Sequence, residues 1–365
     1  MSGAAHKDDG WPMIADARQI AASDLGDFVA NLFMAAGVPE DAARIVANGL
    51  VDADLEGLHS HGVMLVDLYI ERICQGSVSC NATASVISDR QGAVVLDAGN
   101  ALGQLTGRQA MDVAIDKAKA FAAGIVAVRH GFHFGTAGKF AQQAAVADCI
   151  GIAMCNTRPL MPAPGGAERL VGNNPIAVAL PTDDEIPLIL DMATSEAAMG
   201  KIRMAAQANE PIPANWAVTA DGEPTTNPAE AIAGMLLPSG GTKGFGLSLM
   251  IDLLCGLLSG GASGAEVRAL YGNFAEPYDC SHLFIAVDVT RFGSPDDFRR
   301  RAAAAARRIR SARRAPGVAE LLTPGEPEWR RRQRADGVVM LEPAVAEMLA
   351  RFATKLGVTA TPLQH

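Results

Sequence analysis

Residues 125–140 read Ile125-Val126-Ala127-Val128-Arg129-His130-Gly131-Phe132-His133-Phe134-Gly135-Thr136-Ala137-Gly138-Lys139-Phe140. A short apolar run ends near Arg129. A turn punctuated by glycine follows, and a helix is expected over 136–147. Strand, turn and helix in that order are the unit of an α/β chain. Backbone N–H groups at the helix start point at an anion, with the helix dipole in support. A dinucleotide pyrophosphate or a substrate carboxylate suits such a turn, with Lys139 in the first helical turn. A plain tight strand–helix connection has the same outline. The segment is not a nucleotide-hydrolysing P-loop, because the leading glycine is missing and Phe140 stands where Ser or Thr should follow the lysine. The G-x-G-x-x-G fingerprint is absent too. Gly244-Phe245-Gly246 is followed by Leu249 where the third glycine belongs.

Four of the seven histidines lie in two clusters, His59-Ser60-His61-Gly62 and His130-Gly131-Phe132-His133. Histidine exchanges protons near neutral pH, and a neighbouring glycine lets backbone or ligand approach. Two such clusters in distant segments point to an acid–base site. Satisfied core histidines are the plainer reading. A metal-dependent hydrolase using His59, His61, His133 and Asp191 is a rival one. Asp191 closes the apolar run Leu188-Ile189-Leu190. A carboxylate there either caps the next turn or orients a histidine.

Outward from these motifs, the pattern predicts helices over 40–56, 63–74, 107–122, 295–314 and 343–356. Strands are expected over 84–88, 93–96, 125–128, 150–155, 176–180, 188–190 and 283–287. Residues 158–175 are rich in proline and glycine and read as a functional loop. Residues 209–238 read as a second polar excursion. The apolar run 247–260 is interrupted by Asp252, falls short of a bilayer span and reads as a buried helix. Residues 1–17 read as a loose tail.

The 365 residues are 49% apolar but only 5% aromatic, so the core must be aliphatic. A formal charge of −9 gives no basic face for nucleic acid. The arginines of 299–314 and 330–334 are a local exception, read as a solvated helix face or an anion site for a phosphorylated cofactor. None of the six cysteines forms a C-x-x-C pair, so zinc-ribbon and thioredoxin-type readings fail and no metal is expected. Residues 1–12 are acidic and lack an apolar h-region, so a cytoplasmic protein with reduced thiols is expected, without a membrane partner.

Together the strings resemble one family, the malate/L-lactate dehydrogenases with their ureidoglycolate, sulfolactate and diketogulonate relatives and the cyclic imino acid reductases. The resemblance rests on Ser60-His61-Gly62-Val63, Tyr69, His133-Phe134-Gly135-x-Ala137-Gly138, Asn156, Pro164-Gly165-Gly166 and Gly172-x-Asn174-Pro175. It continues through Leu190-Asp191-Met192-Ala193-Thr194-Ser195, Gly200-Lys201, Gly240-Gly241-x-Lys243-Gly244-x-Gly246-Leu247 and Pro324-Gly325-Glu326. These lie in family order over nearly the whole chain after residue 20.

The resemblance implies an α/β (α+β) fold. A non-Rossmann cofactor-binding domain, around a mixed and largely antiparallel sheet, spans 91–294. A helical substrate and dimerisation domain combines 18–90 with 295–365. It implies NAD or NADP as cofactor, a small 2-hydroxy or 2-oxo carboxylate or cyclic imino acid as substrate, and a homodimer. A family member that binds a small acid without turnover is the remaining alternative. By resemblance His61 is the acid–base group, relayed by Ser60 and Asp191; in some members His133 holds that role. Cofactor contacts are implied at His133, Phe134, Gly135, Gly138, Asp191, Met192, Ala193, Lys243, Gly325 and Glu326. Most members carry a carboxylate-gripping arginine where this chain has Leu65. Leucine cannot replace it. Arg158 is the substitute candidate, with Thr157 and Tyr69 beside the substrate.

Overall fold

The computed structural model describes residues 17–363. The tail expected over 1–17 lies outside the described residues but for Ala17. In chain order the elements are β1 (Arg18–Ala21), α1 (Ala22–Ala35), α2 (Glu40–Leu55), α3 (Val66–Cys74), β2 (Ser85–Arg90), β3 (Ala93–Asp97), α4 (Gly103–Phe121), β4 (Ala123–Gly131), α5 (Ala137–Val146), β5 (Cys149–Cys155), β6 (Ile176–Leu180) and β7 (Leu188–Met192). The chain continues through α6 (Met199–Ala208), β8 (Ala217–Val218), α7 (Pro228–Ala233), β9 (Met235–Leu236), α8 (Thr242–Ser259), β10 (Cys280–Asp288), α9 (Pro295–Arg310), α10 (Glu326–Ala335), β11 (Val338–Leu341) and α11 (Pro343–Leu356).

The chain divides into two compact units. The first holds residues up to Asp67, Leu180–Ile189 and those from Val289 on; the second holds Leu68–Ala179 and Leu190–Asp288. The sequence placed the first division near residue 90, but it falls at 67/68. The cause is packing within the second unit. Arg72 donates to the carbonyls of Ala269, Leu270 and Glu276, and β2 pairs with β3.

In the first unit, α1 and α2 bury Leu25, Phe28, Leu32, Phe33, Val46 and Leu50. β1 and β11 form a two-stranded antiparallel ribbon. Much of the basic charge of these helices is answered within the chain. Arg299, Arg300, Arg310, Arg330, Arg331 and Arg332 each pair with a carboxylate of the chain.

The second unit is built on a seven-stranded sheet of order β2-β3-β4-β10-β5-β6-β7. β3 and β4 run parallel, while β10 is antiparallel to both its neighbours. Alternation along β10 sends successive side chains to opposite faces. Leu283 packs with Ala127, Met154 and the α8 residues Ile251 and Cys255. Phe284 packs against Phe140 of α5. Glycines let helix and sheet close up on that second side: a Cβ on Gly124 would lie 2.0 Å from Ala114 O, and one on Gly151 2.2 Å from Ala141 O.

Three expectations change. The excursion 209–238 is not bare loop. It carries α7 and the β8–β9 ribbon, which bury Ile212, Ala217, Ala231 and Leu236 together with Met161, Val171 and Ile202. α6 and α10 escape sequence detection because each buries a single residue of its helix, Ile202 and Glu326, so neither shows an apolar stripe. Finally, α8 is not a buried helix. Its 18 residues are long and apolar enough to cross a membrane by length and composition. Leu247, Met250, Leu254, Leu257 and Leu258 stand exposed along one side.

Candidate active site

In the first unit, the His59–Gly62 turn forms a 3-10 helix at His59–His61. Asp54, the residue before the last of α2, holds it. Its carboxylate accepts from His59 Nδ1 at 2.9 Å and from the Val63 N–H at 2.8 Å. Gly62 is required by space: a Cβ there would lie 2.2 Å from Asp54 Oδ1. Ser60 Oγ lies 3.0 Å from His61 Nδ1. Burial pushes the His61 imidazole below its ordinary value, because desolvation disfavours the charged ring. The shift favours the neutral ring, the form that accepts a proton. Leu65, in the following turn, is 1% exposed. An arginine there would carry an unpaired charge into packed surroundings.

In the second unit, β4 delivers His130 and His133, and the two are used differently. His130 sits at a φ of +49° and shares the Asp97 carboxylate with Arg129. It fixes the strand end. His133 Nδ1 lies 2.6 Å from the hydroxyl of Tyr69, which accepts from Gln104 Nε2 at 3.1 Å. Tyr69 is fully buried. Burial holds its phenol far above the ordinary range, with the Gln104 hydrogen bond opposing. A neutral hydroxyl donates to an unprotonated Nδ1 and accepts from a protonated one. Tyr69 thus fixes His133 in either protonation state, which makes it a positioning residue. Phe134 is buried beyond His133, and Gly135 turns the chain at a φ of +81°.

The anion at the start of α5 is the chain's own. Asp191 Oδ2 accepts the Gly138 N–H at 2.7 Å. The pyrophosphate expected there has a carboxylate in its place. Met192 and Ala193 follow at the end of β7, half-buried. The start of α8 also meets acceptors of the chain, since Gly240 N–H donates to Glu196 Oε2 at 3.3 Å and Gly241 N–H to Pro238 O at 3.0 Å. Gly240 and Gly241 take φ of +62° and +65°, and an added Cβ would meet nothing within 4 Å at either. Lys243 is exposed in the first turn. Beside them lies a cleft of about 640 Å³, whose lining includes Gly165, Glu196, Asp221, Glu223, Gly240 and Gly241 and no lysine or arginine. Carboxylates there suit ribose hydroxyls rather than phosphates. The residues fit a dinucleotide if its phosphates fall to Lys243 and the α8 start.

Thr157 is already engaged. Its hydroxyl lies 3.0 Å from Asn173 Oδ1 and its N–H donates to Asn174 Oδ1. Arg158 differs. It is half-buried, and among the described residues no carboxylate pairs with it. Burial and the neighbouring Arg169 and Arg203 lower its pKa, with Tyr278 opposing. In the first unit, Gly325 turns the chain at a φ of +86°. Glu326 is fully buried, held by Thr323 N–H at 3.0 Å and by Arg330 at 2.6 Å. Its carboxylate shapes the Gly325 turn and is spent on the chain itself.

Asp54 and Gln104 were missed by sequence reasoning. Asp54 carried a signal, an acid continuing the stripe of Ala43, Val46, Ala47 and Leu50 on α2. Gln104 carried none. Among the described residues, the side chains gathered at metal-ligand distance are Cys155, Cys280 and His282, and not the set proposed for a hydrolase.

The imidazoles of His61 and His133, each beside a hydroxyl, suit proton transfer. The chain belongs to the malate/L-lactate dehydrogenase family, which matches residues 20–350. It is 37% identical over 316 residues to a malate dehydrogenase of Pyrococcus abyssi, covering 84% of this chain and 86% of that one. It is 35% identical over 317 residues to ureidoglycolate dehydrogenase (NAD(+)) of Escherichia coli, covering 87% and 90%. The solved sulfolactate dehydrogenase of Methanocaldococcus jannaschii superposes with a TM-score of 0.89 at 34% identity, over 94% of this chain and 99% of that one. The chain is thus an NAD(P)-dependent dehydrogenase of hydroxy acids, with NAD or NADP as cofactor. Nothing in these relationships supports a hydrolase.

Replacing Tyr69 by phenylalanine keeps the ring and removes the hydroxyl from His133 and Gln104. A lost buried hydrogen bond costs about 1–3 kcal/mol, so kcat is expected to fall roughly 10- to 100-fold with the cofactor Kd unchanged. Full activity in Tyr69→Phe would show that His133 needs no such anchor.

Proposed function

We propose that the chain moves a hydride reversibly between NAD(P) and the C2 of a small 2-hydroxy/2-oxo carboxylate, or of the corresponding cyclic imino acid. The observation that carries the reading is His61, half-buried in the 3-10 turn with its Nδ1 3.0 Å from Ser60 Oγ. When bound, the nicotinamide takes up or returns the hydride. The protein's own part is proton transfer and orientation. In oxidation the substrate hydroxyl gives its proton to neutral His61, and the resulting imidazolium releases it to solvent. In reduction the protonated ring returns it to the forming alkoxide. Ser60 sets the ring. Arg158 holds the substrate carboxylate in place of the arginine missing at Leu65. His133, fixed by Tyr69, is the second acid–base candidate. Lys243, Met192, Ala193 and the Gly325 turn serve the cofactor, which needs no G-x-G-x-x-G motif in this arrangement.

Steady-state kinetics test this. Because the His61 pKa is lowered, kcat/KM for oxidation should hold its plateau down through the ordinary imidazole value of about 6.5 and decline only below it. His61→Ala should lose roughly 10²- to 10⁴-fold in kcat, with cofactor affinity retained. A larger loss in His133→Ala would exchange the two roles. Arg158→Ala should raise KM for the carboxylate substrate about 10-fold or more; an unchanged KM would remove Arg158 from the substrate site.

We also propose a homodimer through α8, working in the cytoplasm where the six free cysteines stay reduced. Five exposed apolar residues along one helix face are more than a monomer in water usually carries in one row. Light scattering should give twice the chain mass for the wild type and a monomer for the double variant Leu254→Asp, Leu257→Asp. A wild-type monomer at micromolar concentration would contradict the assignment.

A further inference from the structure

β5 ends on Cys155 and β10 begins on Cys280, and the antiparallel register sets Cys155 opposite His282. The ligand atoms of these three residues lie within 4.8 Å of one another. Cys155 is 4% exposed; Cys280 and His282 are fully buried. Cys280 Sγ is 3.2 Å from His282 Nε2. In a tetrahedral zinc site, metal–sulfur and metal–nitrogen bonds of about 2.3 and 2.0 Å put the two donors roughly 3.5 Å apart. The Cys280–His282 pair is therefore within a few tenths of an ångström of that spacing, and Cys155 lies within 4.8 Å of both. The three donors hang from paired strands and need no folding to come together.

We propose that Cys155, Cys280 and His282 bind one zinc(II) ion inside the sheet of the second unit. Charge favours a divalent ion. Two thiolates and a neutral imidazole cancel its charge, so the buried site is neutral and avoids the cost of an isolated ion. A monovalent ion would leave a net negative charge in the core. Loading is balanced by two protons, one from each thiol as its sulfur bonds the metal. Thiolate donors also select a soft or borderline metal over magnesium or calcium. The carbonyl oxygen of Asn156, 3.0 Å from Cys155 Sγ, offers an oxygen for a fourth position.

His282 Nδ1 is buried with no hydrogen-bond partner among the described residues, and a metal on Nε2 leaves it so. The ring also backs the catalytic turn. Phe134, next to His133, stacks on His282 with centroids 4.6 Å apart and planes at 13°. A metal that fixes the His282 ring fixes the surface on which the His133 turn rests. The role is structural, and the reading of His61 and His133 stands without it.

The test is metal content. The full-length protein is produced in zinc-supplemented medium and purified without chelator. Elemental mass spectrometry is expected to find about one zinc per chain. Content should fall at least roughly fivefold in Cys155→Ser and in Cys280→Ser, and stay near one in Cys74→Ser, which alters an exposed cysteine. If the core variants fail to fold, wild-type protein grown with cadmium supplies the answer, since thiolate ligation gives a charge-transfer band in the ultraviolet that disappears on unfolding. A wild type with under about a tenth of a zinc per chain overturns the proposal. So does zinc retained by both core variants, cadmium protein without the band, or a Cys155–Cys280 disulfide in the purified chain.

Discussion

Strand β10 runs antiparallel between β4 and β5, and the ends of these three strands carry much of the second unit's chemistry. β4 leads into the turn of His130 and His133. β5 leads into Thr157 and Arg158. β10 opens on Cys280 and His282. Its partners lie more than a hundred residues earlier in the chain, so the pairing closes a long loop before it gains any contact. The return is a strand almost wholly buried on both faces, with Leu283 turned to α8 and Phe284 to α5. Were β10 unpaired, β4 and β5 would both become edges, and their terminal turns would lose the wall behind them.

On that frame the polar groups follow one rule: each reactive side chain is held by a group that tolerates a change in its charge. Tyr69 is such a group for His133, since a buried phenol that stays neutral can donate or accept. Ser60 has the same capacity toward His61. Asp191 spends one oxygen on Gly138 and so caps α5 with its own charge. Arg158 differs, half-buried and paired with no carboxylate among the described residues.

Much of this was legible in the sequence because the family's strings are local. Ser60-His61-Gly62 and Gly240-Gly241-Thr242-Lys243 are each read in a few residues, and the strands β4, β5, β6 and β10 have clear apolar runs. What was not legible depends on distance. Asp54 holds the histidine turn from another element, and only its place on the apolar stripe of α2 marked it. Gln104 looked like any polar residue before a helix. Spacing rules for cysteine cannot see Cys155 beside Cys280, since the strand pairing that joins them is written in neither neighbourhood. The apolar run of α8 was read as buried because hydropathy does not say whether the chain's own core or another surface covers a helix. Glu326 matched a cofactor motif, yet its carboxylate is locked to Thr323 and Arg330.

Direct hydride transfer is the central claim, and deuterium tests it most directly. A panel of 2-hydroxy carboxylates deuterated at C2 would be incubated with the enzyme and oxidised cofactor, and the reduced nicotinamide examined by NMR. The account predicts that the substrates turned over place their deuterium on one face of the nicotinamide C4, with none lost to water. Deuterium released to solvent, or product formed with no label on the cofactor, would contradict it.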